Sequence, residues 1–112
     1  MKIKIGSSTF YATLYDNPTA TAFKSMLPTT IDMIELNGNE KYFNLPTNLP
    51  TNSSKPRTIQ PGDLMIYGYY TLVLFYKSFS TSYHYTRLGK IDNSTKLSAA
   101  VGVGNVMVSF EL

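Results

Sequence analysis

Lys2-Ile3-Lys4-Ile5 alternates charge with branched apolar side chains, the two-residue period of a half-buried strand. Gly6-Ser7-Ser8 reads as a turn. Beyond it Phe10, Ala12 and Leu14 share one face and Thr9, Tyr11 and Thr13 the other, so the chain opens with a hairpin. The period then lengthens. Asn17 can cap free amides, Pro18 suits a first helical position because its missing N–H costs nothing there, and Ala20, Phe23 and Leu27 recur at helical spacing until Pro28. This predicts one short amphipathic helix lying across a barrel mouth or face. Thr30–Leu36 and Glu40–Leu45 are strands around Asn37-Gly38, a pair that favours the positive dihedrals of a tight hairpin. Asp63–Tyr67 and Thr71–Tyr76 are strongly apolar and read as central strands, with Gly68 at the bend between them. Tyr83–Ile91 is a further strand, and Gly89 marks a bulge or a close backbone approach. Thr95–Val101 forms a short helix ended by Gly102, and Asn105–Leu112 closes the chain as a strand.

Residues 46–62 break the pattern. Pro46, Pro50, Pro56 and Pro61 interrupt any regular element, and Leu-Pro-Thr-Asn occurs at 45–48 and again at 49–52. Two copies of four residues do not make a repeat architecture. A loop of this length in a small domain reads as a flap, a lid or a disordered excursion. The overall order is strand, strand, helix, about five strands, short helix, strand. It suits a mostly-β fold closed into a barrel, because closure removes exposed edges.

Composition narrows the function classes. At 112 residues the chain fits one domain spanning 1–112. Charged residues make up 15%, below the roughly 25% of typical soluble domains, so Thr, Ser, Asn and Tyr must cover much of the surface. The net charge is +3, but the lysines and arginines are scattered rather than gathered into a stripe, which argues against nucleic acid as a partner. The absence of cysteine removes disulfides, thiolate nucleophiles and zinc–thiolate sites. Met1 leads straight into an alternating strand, so no signal peptide is read, and no apolar run approaches membrane-spanning length. A cytoplasmic, membrane-free domain without metal or cofactor is expected. The oligomeric state is not legible.

Two ends of the chain resemble cyclophilins independently. Leu14-Tyr15-Asp16-Asn17-Pro18-Thr19-Ala20-Thr21-Ala22-Phe23 is similar to the cyclophilin passage from strand hairpin into helix, with Thr-Ala and Phe about a residue closer to Pro. Leu88-Gly89-Lys90-Ile91, followed by a turn, Leu97-Ser98-Ala99-Ala100 and a final strand, is similar to the C-terminal end. A nearer resemblance, to a bacterial family of small cyclophilin-like proteins of unsettled function, covers nearly the whole chain. It rests on Asn37–Tyr42, Gly62–Gly68 and Thr81–Gly89, and it implies an eight-stranded barrel with two short helices.

Cyclophilins act on X-Pro bonds through an arginine on the third strand that polarises the amide. The third strand here, Thr30-Ile31-Asp32-Met33-Ile34-Glu35-Leu36, has none. Loss of a polarising group costs roughly 3–4 kcal/mol of transition-state stabilisation by analogy with an oxyanion donor. The resemblance places Phe75 and Tyr85 near groove positions, so part of the pocket wall is expected to survive without the catalytic cation.

Six of the nine tyrosines fall between Tyr67 and Tyr85, and tyrosine suits both ligand grooves and ordinary strand surfaces. Arg87 lies two residues after Tyr85, and in a continuous strand the two share a face. It reads either as a groove cation, or as a surface arginine stacked on Tyr85 or paired with Glu40. Glu40, beside a tight turn, reads as a ligand-fixing acid or base, or as a solvated hairpin end. His84 is the only histidine and cannot build a histidine metal cluster. Ser80, Thr81 and Ser82 have no positioned acid partner, and Gly102-Val103-Gly104 precedes a strand, not a phosphate-binding helix. The expected function is a small-molecule or peptide binder without standard prolyl isomerase activity. Its groove would be lined by Glu40, Tyr67, Phe75, Tyr76, Tyr83, Tyr85 and Arg87. The alternatives are a prolyl isomerase with a relocated cation and a purely structural or protein-interaction module.

Overall fold

The computed structural model describes residues 1–112. β1 (Lys2–Ile5) and β2 (Ser8–Leu14) form the opening hairpin, and α1 (Pro18–Lys24) follows. β3 (Thr29–Leu36) and β4 (Glu40–Asn44) flank the Asn37-Gly38 turn, where φ is 57° and 69°, the left-handed values such a two-residue turn demands. β5 (Thr58–Ile59), β6 (Asp63–Tyr67), β7 (Thr71–Phe75), β8 (Phe79–Ser80), β9 (Thr86–Ile91), α2 (Leu97–Val101) and β10 (Val106–Glu111) complete the chain.

Eight strands close in the order β1-β10-β3-β4-β7-β6-β9-β2, every neighbouring pair antiparallel where paired residues are assigned. The expected barrel with two short helices is therefore the observed architecture. Alternation decides what fills it. Ile3, Ile5, Phe10, Ala12, Ile31, Met33, Leu64, Ile66, Leu72, Leu74, Val108 and Phe110 point inward and form the main core. Both helices contribute to this core, α1 through Ala20 and Phe23, α2 through Leu97 and Val101. Phe23 meets Phe110 edge-on, ring centroids 5.6 Å apart. Asn17 caps α1 as its sequence suggests, accepting the Ala20 N–H at 2.8 Å.

The prolines of residues 46–62 leave no regular element longer than the two-residue β5, but the segment is fastened to the barrel at several points. Leu45 and Leu49 enter the main core, and their N–H groups bond Tyr70 O and Tyr69 O. Ser54 and Tyr85 exchange backbone hydrogen bonds, both at 2.9 Å, and the Asn52 N–H donates to Thr86 Oγ1. Thr58–Ile59 then pairs with Phe79–Ser80 as a separate two-stranded sheet. These pairs are too short to be read from a periodicity, and they make the loop a strap rather than a loose excursion.

The strand expected over Tyr83–Ile91 begins only at Thr86. Beyond it the ladder with β6 slips, Leu64 facing Gly89 while Met65 faces Arg87. Gly89 is the close approach its position suggests, since an added Cβ would lie 2.6 Å from the carbonyl oxygen of Thr13. No helix is long and apolar enough to cross a membrane.

Candidate functional site

The outward-facing side chains of β4, β6 and β7 build a second, smaller apolar layer on the outside of the barrel wall. Met65, Val73 and Phe75 alternate with the inward residues of β6 and β7, and with Ile59 and Tyr85 they form a buried cluster flanked by Tyr42 and Phe79. Phe75 is at its centre, 5.5 Å from the Tyr85 ring at 84° and 5.7 Å from Phe79. The layer thus acts as a floor.

Above this floor lies a groove of about 350 Å³, lined by Leu36, Asn37, Glu40, Tyr42, Asn44, Tyr67, Thr71, Val73, Tyr83 and Tyr85. That volume is at the lower end of the range of small-molecule sites, about 300–1,000 Å³. Tyr67 links its aromatic wall, with ring centroids 6.1 Å from Tyr83 at 67° and 5.6 Å from Tyr85 at 57°. The rings are inclined to one another rather than stacked. Tyr67 and Tyr83 are 47% and 62% exposed, open to an incoming molecule, whereas Tyr85 is buried. Burial pushes the Tyr85 hydroxyl up to about 12, and the nearby Glu40 charge acts in the same direction, so it is a neutral phenol at physiological pH.

Of the seven residues singled out from the sequence, the structure brings Glu40, Tyr67, Tyr83 and Tyr85 to this groove. Phe75 lies below, fully buried in the floor. Tyr76 is on the other side of the wall, since the alternation that turns Phe75 outward turns Tyr76 inward. Its hydroxyl donates to Glu35 Oε1 at 2.5 Å. Arg87 lines a different groove, without an aromatic ring, together with Asn17, Pro18, Thr19, Pro50, Thr51, Asn52, Ser54 and Thr86. The expectation that Arg87 and Tyr85 share a face assumed one continuous strand. Tyr85 instead precedes β9 and pairs with Ser54, so the alternation does not carry across. Arg87 also makes no ion pair with Glu40; the ion pairs are Lys2–Glu111, Lys4–Glu111 and Lys41–Glu35.

Leu36, Asn37, Tyr42, Asn44, Thr71 and Val73 lie outside the set expected from the sequence. Tyr42 and Asn44 follow Glu40 at two-residue steps in β4, and Thr71 and Val73 precede Phe75 at the same step in β7. Alternation from the residues already chosen was the signal that could have found them.

Glu40 is not a solvated hairpin end: it is 7% exposed. Burial pushes its carboxyl up to about 7, and the charge of Glu35 adds to the push. No hydrogen bond contributes to that balance, and no ion pair engages it. The one fully occluded side-chain polar atom without a partner is Asn39 Oδ1, so the unpaired Glu40 carboxylate keeps its access to the groove.

The matching residue range settles the family: a model of the cyclophilin-like family covers residues 3–111. The chain belongs to the cyclophilin-like family. No curated protein and no solved structure matches it. Within this cyclophilin-like domain β3 carries no arginine, and the aromatic groove has none in its lining.

Proposed function

We propose that this cyclophilin-like domain is a binding module that holds a small molecule or a peptide side chain in the tyrosine-walled groove, without standard prolyl isomerase activity. The observation that carries this reading is the groove itself, with Tyr42, Tyr67, Tyr83 and Tyr85 over an apolar floor and no cationic side chain to polarise an amide. Arg87, the cation that a relocated catalytic site would need, lines a groove without an aromatic ring, which speaks against the isomerase alternative.

Two measurements test the proposal. In a fragment screen followed by protein NMR, hits are expected to shift residues around Tyr67, Tyr83 and Tyr85. Tyr67→Ala should abolish those hits and Arg87→Ala should leave them unchanged. In a protease-coupled assay on X-Pro peptides the domain should not exceed the uncatalysed rate. Isomerase turnover lost in Arg87→Ala, or hits that follow Arg87 instead of Tyr67, would overturn the assignment.

A further inference from the structure

We infer that the groove selects an organic cation, an ammonium or guanidinium head on an apolar stem, held between the Glu40 carboxylate and the exposed rings of Tyr67 and Tyr83, with Tyr85 behind them. This rests on the groove being a binding site and adds the chemistry of its ligand.

Three features point the same way. The first is charge. Glu40 is the only carboxyl among the ten residues lining the groove, and there is no lysine, arginine or histidine. The chain as a whole is +3, which at long range favours anions, yet this groove offers an anion no cationic partner.

The second is incomplete satisfaction. Removing a carboxylate from water is costly unless a cation or hydrogen-bond donors replace the hydration. Glu35, one strand away, has such replacement: it accepts from Lys41 Nζ, Tyr76 Oη and the Gly38 N–H. Glu40 is more than nine-tenths buried and has none. Lys41, its chain neighbour, is turned to the opposite face of the wall and is fully engaged there. The chain supplies no counter-charge at Glu40, so a proton or a cation from outside must relieve the buried carboxylate, and a bound cation would favour the ionised form.

The third is the aromatic geometry. Aromatic faces carry negative electrostatic potential and attract cations, most strongly in a partly dry site. Tyr67 is inclined by 67° to Tyr83 and by 57° to Tyr85, an arrangement that presents rings from more than one direction. A neutral apolar ligand would use the rings but leave Glu40 unpaired. An anion would meet Glu40 with repulsion. A cation with an apolar stem uses both.

The test compares choline with 3,3-dimethylbutanol, its neutral isostere of the same shape, by isothermal titration and by NMR shift mapping on the intact chain. Choline is expected to bind at least about tenfold tighter, with shifts centred on Tyr67, Tyr83 and Tyr85. Glu40→Gln, which preserves shape, should remove most of that preference. Tyr67→Ala, at an exposed position that does not endanger folding, should weaken both. A capped lysine peptide and n-butylammonium, run alongside, distinguish a peptide side chain from a free amine as the source: stronger shifts from the peptide assign the former, equal shifts the latter. Equal affinity of choline and 3,3-dimethylbutanol at the groove, unaltered by Glu40→Gln, would overturn the cation inference and leave the groove as a binding site. Groove shifts from neutral fragments alone would do the same. Failure of both cations and neutral fragments to shift any groove residue would overturn the binding site as well.

Discussion

Glu40 and Lys41 are consecutive and both buried, yet they do not pair with each other. Strand alternation sends Lys41 to the Glu35–Tyr76 side of the wall and Glu40 to the groove side. Lys41 lies directly opposite Glu35 across the β3–β4 ladder. Its ammonium donates to Glu35 Oε1 at 3.0 Å, Gly102 O at 2.9 Å and Gly104 O at 2.5 Å, and stands 5.2 Å from the Tyr76 ring centroid. All three ammonium hydrogens thus have acceptors. One member of the adjacent pair is satisfied within the chain; the other has no partner there.

The unpaired acid should make the free domain less stable as pH rises. The Glu40 carboxyl is raised from its ordinary 4.5 to about 7 in the folded chain. Between those values the folded state holds a proton that the unfolded state has released, so stability falls with increasing pH across that window. Tyr85 stands on the groove side with Glu40, Glu35 and Tyr76 act on it through the wall, and none of the three supplies a positive charge. Glu40→Gln should remove this slope and stabilise the domain at pH 8 by on the order of 1–3 kcal/mol relative to its effect at pH 4. Urea denaturation at both pH values measures it, and a pH-independent effect of the substitution would contradict the burial argument.

The Lys41 network should govern the acid limb. Burial acts to raise Glu35, but hydrogen bonds from Tyr76, Lys41 and the Gly38 N–H, with the Lys41 charge, hold it net below its ordinary value. Its contribution is therefore present above that ordinary value and lost as pH falls through the depressed one. Lys41→Met retains most of the buried stem and removes the charge. It should cost about 1–3 kcal/mol at pH 7 and move the acid loss of stability to higher pH. It should also free the Gly102–Gly104 turn, whose amides would exchange faster with solvent.

How much of this was legible in the sequence differs between residues. The barrel was accessible because alternating strands, the Asn17-Pro18 helix start and the Asn37-Gly38 turn are local signals that tertiary packing reinforced. Glu40 was accessible as an acid beside a turn, but its burial depends on neighbours brought in from β7 and from the segment before β9. Tyr76 stands away from the groove because the alternation of β7 turns it inward, a signal of register that its aromatic character masks. Arg87 stands away from it for a different reason. The Ser54–Tyr85 bridge that interrupts its strand joins residues far apart in the chain, and no periodicity announces it. Lys41 gave no signal either, because a lysine in a strand normally reads as a solvent-facing position.

Two glycines should respond differently to alanine. At Gly89 the new Cβ would meet backbone, Thr13 O at 2.6 Å, so β2 and β9 would have to part locally. Gly89→Ala should cost about 2–4 kcal/mol. At Gly38 nothing lies within 4 Å and only the left-handed φ of 69° opposes a side chain. Gly38→Ala should cost about 1–2 kcal/mol. Comparable losses at both positions in chemical denaturation would mean that the β2–β9 approach is looser than described.

Phe75 separates the stability of the domain from the competence of the groove. It is fully buried beneath Tyr85 and Phe79, and it lies opposite Glu40 in the β4–β7 ladder. Phe75→Ala would empty the floor and cost about 3–5 kcal/mol, a loss large enough to threaten folding of so small a domain. Phe75→Leu is the informative change. It retains an apolar side chain but removes the ring edge that fixes Tyr85, and it should cost about 1–2 kcal/mol. The Tyr85 ring should then become mobile on the NMR timescale, while the main core residues Ile66 and Leu74, on the inner side of the same wall, keep their chemical shifts. Any ligand that shifts Tyr67 and Tyr83 in the native domain should bind Phe75→Leu several-fold more weakly, because the wall it meets is no longer held in place. Unaltered binding with a mobile Tyr85 would show that Tyr67 and Tyr83 alone form the recognition surface.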